Sequence, residues 1–150
     1  MTKQNATQQH EAAVLHTAYF GLGTNLGDRE ENIRRAYELI QKRVGSIVRR
    51  SSLYHSAPWG FESDNAFVNT AVCVETSLTP HEVLQATQQI EREMGRTQKS
   101  VNGIYHDRII DIDILQYDDV QMSTPELTLP HPHINERPFV YEPLSEIKTQ

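Results

Sequence analysis

Apolar positions along the chain change their spacing several times, and each change marks a predicted element. Ala18, Tyr19, Phe20 and Leu22 form a short apolar run that predicts a first strand over 17–24. Gly21, Gly23, Asn25 and Gly27 crowd the turn expected at its end, where residues tolerant of positive φ are useful. Ile33, Ala36, Tyr37, Ile40 and Val44 then recur at helical spacing. Asp28 is the expected N-cap, Glu31 completes a capping box, and Gly45 stops the helix. A second strand follows over 46–54, and a loop rich in Pro, Gly and Ser runs over 55–65. Over 67–75, Val68, Thr70, Val72 and Val74 alternate with Phe67, Asn69, Ala71 and Cys73, the period of a strand. Thr79-Pro80-His81-Glu82 opens a second helix with a cap, a proline at its first position and a capping-box glutamate. Val83, Leu84, Thr87, Ile90 and Met94 carry that helix to Gly95.

Residues 96–107 have no apolar periodicity and read as a cationic active-site loop. The next strand, Arg108-Ile109-Ile110-Asp111-Ile112-Asp113-Ile114-Leu115, is β-branched and aliphatic except for two aspartates at alternate positions. A tight turn at Tyr117-Asp118-Asp119-Val120 leads into a second arm ending at Leu129, and 140–147 is a short packed segment. Strand, helix, two strands, helix, strands is the order of an α+β fold with ferredoxin-like character. The expectation is an antiparallel sheet with helices packed on its faces, a three-layer αβα arrangement.

Composition narrows the class. At 150 residues the chain fits one domain, expected over 17–150 behind a flexible, Gln- and Thr-rich tail over 1–16. Its 37% hydrophobic and 23% charged content are those of a globular protein. A net charge of −6 argues against general nucleic-acid affinity, while leaving room for a local basic pocket. The single cysteine, Cys73, cannot form an internal disulfide, which suits a reducing cytoplasm. No apolar run approaches membrane-spanning length, and the start lacks the pattern of a signal peptide.

Candidate chemistry centres on the two aspartates. Strand geometry puts Asp111 and Asp113 on one face, roughly 6.5–7 Å apart along the chain, with Ile110, Ile112 and Ile114 on the other. Two neighbouring carboxylates repel unless a cation lies between them. A Mg²⁺ ion, which takes one or two carboxylates plus substrate phosphates, meets that need. A solvated acidic edge strand is the plainer alternative, but Arg96, Lys99, Arg108, His131 and Arg137 all lie nearby in sequence and favour a polyanion. His131 and His133 have the look of a zinc pair but lack a third ligand at a recognisable spacing. An imidazole and a guanidinium facing phosphate oxygens fit them better. Gly21-Leu22-Gly23-Thr24-Asn25-Leu26-Gly27 fails as a dinucleotide fingerprint, since its third glycine falls one residue late. Trp59 beside Phe61 in a polar loop either caps the core or covers a ligand. Asn69 is a hydrogen-bonded core residue or an amide that reads the edge of a heterocycle. Gln88 and Glu91, three apart, share a helix face that would ordinarily be solvated.

Taken in order, Gly21 through Gly27, Pro58-Trp59-Gly60, Phe67-Val68-Asn69, Glu91 to Arg96, Arg108 to Leu115, and Pro130-His131 through Arg137-Pro138-Phe139 resemble the 6-hydroxymethyl-7,8-dihydropterin pyrophosphokinases of folate biosynthesis. The resemblance runs from about Ala18 to Ile147; single pieces are weak, but the ordered set is specific. It implies transfer of a pyrophosphoryl group from ATP to the pterin hydroxymethyl oxygen, with release of AMP. It implies Asp111 and Asp113 bridging two Mg²⁺ ions, with Arg96 and Arg108 joining them in catalysis. Phosphate contacts fall on Arg96, Lys99, Arg108, His131 and Arg137, and nucleotide contacts on Gln88, Glu91, Tyr105, Ile114 and Thr128. The pterin slot falls on Ser56, Ala57, Pro58 and Trp59, with Asn69 on the ring edge and Phe67 and Phe139 on its faces. The resemblance implies small-molecule substrates; charge and hydropathy lead us to expect no nucleic-acid or membrane partner and a cytoplasmic location, and the chain is expected to be a monomer or weak dimer.

The loop between Lys99 and Arg108 is longer than is typical of such enzymes. Tyr105 replaces a usual tryptophan, Gln98 replaces a basic residue, and the chain ends early after Ile147. Two competing readings are a Mg²⁺-dependent phosphohydrolase acting on another phosphate ester, and a non-catalytic ferredoxin-like binding module.

Overall fold

A computed structural model describes residues 14–56, 66–95 and 109–148. The side chain of Ser56 and the expected site residues Ala57, Pro58, Trp59, Arg96, Lys99, Tyr105 and Arg108 lie outside the described residues.

The elements are β1 (His16–Thr24), α1 (Arg29–Arg43), β2 (Ser46–Arg50), β3 (Tyr54–Ser56), β4 (Phe67–Thr76), α2 (Pro80–Glu93) and β5 (Asp111–Tyr117). They are followed by β6 (Met122–Ser123), β7 (Thr128–Leu129), a 3-10 turn (Ile134–Glu136) and α3 (Pro138–Lys148). β1 lies at the centre of the main sheet, antiparallel to β4 on one side and to β5 on the other. The outer side of β4 takes both β2 and β3, again antiparallel. β5 therefore forms one edge, and the order is that of a ferredoxin-like split β-α-β arrangement. β6 and β7 make a separate two-stranded hairpin.

Strand alternation sorts the layers. Ala18, Phe20 and Leu22 of β1, Val68, Val72 and Val74 of β4, and Ile112 and Ile114 of β5 are buried with Ile33, Ala36 and Ile40 of α1 and Val83 and Ile90 of α2. On the opposite face α3 covers part of the sheet: Val140 and Leu144 pack on Leu115, and Ile147 packs on Ala71 and Cys73. The result is the expected three-layer α+β sandwich.

Several local expectations change. Gly21 and Gly23 lie inside β1, and of the first four turn candidates only Gly27 has a positive φ, +68°. Asp28 caps α1 by accepting from the Glu31 N–H, but the Glu31 carboxylate pairs with Arg34 instead of closing a box. Thr79 and Glu82 do make the reciprocal pair. The expected second strand breaks after Arg50 because the Ser51 hydroxyl accepts the Ala71 N–H that a strand carbonyl would otherwise take. His55 and Ser56 return to the sheet as β3 rather than joining the loop. The expected strand from Arg108 begins only at Asp111. The segment after Phe139 is a full helix despite Pro143 in its interior.

Candidate active site

β5 builds the core of the site. Ile110, Ile112 and Ile114 are buried, and each such side chain contributes about 1.5–3 kcal/mol. That burial fixes the strand's rotation, so the half-buried Asp111 and Asp113 are turned to the α3 face. The period then slips: Leu115 is the extra residue where β5 passes β1, since Ile114 pairs with Phe20 and Gln116 with Tyr19. The bulge gives Leu115 to the α3 layer and returns Tyr117 to the core beneath α1 and α2.

Because β5 is an edge, its outer backbone groups need partners. α2 supplies one: the buried Glu91 accepts the Ile112 N–H at 2.7 Å. Glu91 thus holds the helix to the strand beside the aspartates, a role the sequence did not suggest. Gln88 is half-buried one turn earlier on the same helix. Beyond this edge lies a cleft of about 270 Å³, lined by Leu84, Ile112, Asp113, Ile114, Thr128, His131 and Pro132, with the 124–127 turn closing it. Ile114, Thr128 and His131 were expected at a nucleotide site and meet here; Leu84 and Pro132 were not expected.

His131 is tied to β5 through its backbone, whose N–H donates to the Leu115 carbonyl at 2.9 Å. Its ring Nδ1 accepts the His133 N–H at 3.1 Å, which puts the neutral ring's proton on Nε2. Burial pushes its pKa down, and the nearby Arg137 and His133 push further, to about 4, against the pull of Asp111. His131 is therefore a neutral donor at pH 7, one that keeps a hydrogen for an anionic oxygen without adding charge. Arg137, half-buried, supplies the positive charge close by. The two histidines meet edge to face with centroids 5.8 Å apart.

The same sheet face continues past the carboxylates. In register, Asn69 of β4, Gly23 of β1 and Asp111 of β5 form one row, and Ala71, Gly21 and Asp113 form the next. With strands about 4.8 Å apart, Asn69 and Asp111 are separated by roughly 10 Å of backbone. Asn69 is buried and Phe67 half-buried at the far end of this floor. Phe139, at the start of α3, packs beside Leu115, Val140 and Leu144 on the same face. Two side chains that the sequence reading overlooked hold the far wall. Arg29 donates to the Ala66 carbonyl at 2.6 Å, next to Phe67. Glu146 of α3 accepts from the Ser52 N–H and hydroxyl at 3.0 Å each and from the Tyr54 hydroxyl at 2.7 Å. Neither residue had a periodicity or motif to reveal it, because each acts across a fold that only the topology brings together.

Residues 19–149 match the family described as 7,8-dihydro-6-hydroxymethylpterin-pyrophosphokinase. The chain belongs to that family. It is 49% identical over 130 residues to the 2-amino-4-hydroxy-6-hydroxymethyldihydropteridine pyrophosphokinase of Porphyromonas gingivalis, a match covering 86% of this chain and 88% of that one. The Bacillus subtilis protein of the same name is 42% identical over 134 residues, covering 89% and 78%. A solved HPPK-DHPS in complex with substrates superposes with a TM-score of 0.69 at 15% identity, over 88% of this chain. The chain spans only 40% of that longer molecule, and the likeness speaks to the fold. Nothing among these relatives supports the phosphohydrolase reading.

The paired carboxylates of β5 fit a hard cation. Asp111 and Asp113 offer carboxylate oxygens only, on adjacent same-face positions, with neither thiolate nor imidazole ligands interleaved. Among the described residues no three His, Cys, Asp or Glu side chains converge into a ready-made metal cage. Such a pair suits Mg²⁺, which keeps waters and substrate phosphates as its remaining ligands.

Proposed function

We propose that this chain transfers the terminal pyrophosphoryl group of ATP to the hydroxymethyl oxygen of 6-hydroxymethyl-7,8-dihydropterin in folate biosynthesis. The acceptor oxygen forms a bond to the β-phosphorus and releases its proton to solvent. The bond between the β-phosphorus and the oxygen bridging to the α-phosphate breaks, and AMP leaves with that oxygen. The observation that carries this reading is the common sheet face, with Asp111 and Asp113 on β5, Phe139 packed beside Leu115 of that strand, and Asn69 and Phe67 on β4 across β1. Membership of the pyrophosphokinase family supports it independently.

In this reading the nucleotide occupies the cleft beyond β5, against Leu84, Ile114, Thr128 and His131, with Gln88 and Glu91 on the neighbouring helix. Asp111 and Asp113 would hold two Mg²⁺ ions, which neutralise the triphosphate and orient it for in-line displacement. His131 donates from Nε2 and Arg137 adds charge toward phosphate oxygens; Arg96, Lys99, Tyr105 and Arg108 complete the nucleotide side. The pterin stacks between Phe67 and Phe139, an arrangement that suits an aromatic bicycle, while Asn69 hydrogen-bonds its edge. Residues 56–59 complete the slot. Because little covalent chemistry falls to the protein, position and charge supply the rate enhancement. We further propose a cytoplasmic monomer without nucleic-acid or membrane partners. The net charge of −6 argues against general nucleic-acid affinity.

An assay of AMP release from ATP and Mg²⁺, with and without the hydroxymethyl dihydropterin, tests the reaction. AMP formed only with the pterin is the expected result; AMP formed equally without it, or none in either case, contradicts the proposal.

A further inference from the structure

Gly23 has no backbone reason to be glycine. It lies inside β1, paired to Asn69 on one side and Asp111 on the other, and its φ is not positive. Glycine in a strand interior weakens the strand and marks a bulge or a close approach. The bulge in this pairing lies elsewhere, at Leu115 of β5 opposite the Tyr19–Phe20 step. Close approach is what remains, and the geometry identifies its partners. A Cβ on Gly23 would meet the Asn69 Oδ1 at 3.0 Å and the Phe67 ring at 3.6 Å.

Gly21, two residues back on the same face, is different. A Cβ there meets only the Leu115 side chain, at 3.5 Å, which is ordinary contact. Its space is filled by the protein's own core. The space over Gly23 borders two side chains assigned above to the acceptor, and in register it lies directly between Asn69 and the first metal-site carboxylate. A methyl group would raise the floor at that point and push the Asn69 amide away from it.

We infer that Gly23 is a positioning and specificity-determining residue for the acceptor. It keeps the sheet surface low, so that a flat ring can lie between the Asn69 amide and Asp111, and it lets the Asn69 side chain lean inward to meet the ring's edge. The inference rests on the assignment of the pterin to this face. It predicts selection for planar heterocyclic acceptors by the shape of the floor, separately from the hydrogen bond that Asn69 makes.

The test is a double-mutant cycle read by calorimetric titration of 6-hydroxymethyl-7,8-dihydropterin into protein holding Mg²⁺ and a non-hydrolysable ATP analogue. Gly23→Ala should weaken pterin binding by about tenfold or more, the scale of one misplaced methyl group in a fitted pocket, and leave the affinity for the nucleotide analogue unchanged. In an Asn69→Ser background, where the displaced oxygen is withdrawn, the same Gly23→Ala change should cost much less, because the two positions are coupled. An unchanged pterin affinity in Gly23→Ala overturns the inference. So does a purely additive cycle, or a parallel loss of nucleotide affinity, since either makes Gly23 a general strand residue. If the unsubstituted protein fails to bind the pterin at all, the assignment of the acceptor site falls, a result distinct from failure at Gly23 alone.

Discussion

His131 owes its state to its neighbours. With Nδ1 engaged by the His133 N–H, and with burial, Arg137 and His133 all disfavouring a second proton, its pKa falls to about 4. An unfolded histidine takes up that proton near 6.5. Between those values the unfolded chain binds more protons, so this group's stabilisation is complete above pH 6.5 and is lost as pH falls toward 4. Urea unfolding at pH 7 and pH 5 should therefore show a larger loss for the unsubstituted protein than for His131→Gln; equal losses would contradict this account of the ring. Asp111 carries the second prediction at this scale. Asp111→Ala should lower kcat by several orders of magnitude while the thermal melting curve stays cooperative, because the strand is held by its isoleucines. The aspartates were legible in sequence because period-two alternation makes two charges on one face of an apolar strand conspicuous. Gly23 was misread as a turn residue, since a string of glycines gives no sign of which of them face a ring and which bend the chain. Asn69 stood out as polar on an apolar face, but its place opposite Gly23 of β1 depends on strand pairing that one strand's pattern does not reveal.

At the scale of elements, β5 depends on a helix for one of its outer hydrogen bonds. Glu91→Ala would leave the Ile112 N–H buried without its acceptor, at a cost of about 1–3 kcal/mol. Glu91→Gln keeps an acceptor oxygen at the same reach and should cost less; urea denaturation of both variants checks the order, and the reverse order would remove Glu91 from this role. The two capped helices were readable because Thr79, Pro80 and Glu82, and Asp28 before α1, follow rules that operate within one turn. The break between β2 and β3 was not, because it depends on the Ser51 hydroxyl replacing a backbone group across 20 residues of chain. α3 was underestimated for a local reason. Pro143 removes a ladder donor from its interior and argues against a helix, while the packing of Val140, Leu144 and Ile147 on the sheet outweighs that cost.

For the whole molecule, the order of strand and helix patterns was enough to expect a ferredoxin-like α+β sandwich, because each crossover helix returns the chain to the same sheet. What that order could not show is that both crossover helices share one layer, leaving the other face to α3. That division puts Asp111, Asp113, Gly23 and Asn69 on a single surface, the one on which we propose that the substrates meet. The central claim is that the acceptor attacking ATP is the pterin hydroxyl and not water. It is tested most directly by running the reaction in ¹⁸O-labelled water with ATP, Mg²⁺ and 6-hydroxymethyl-7,8-dihydropterin, and weighing the products by mass spectrometry. The account predicts AMP and a pyrophosphorylated pterin that both lack the heavy isotope; ¹⁸O in released phosphate or pyrophosphate, with the pterin unchanged, would contradict it.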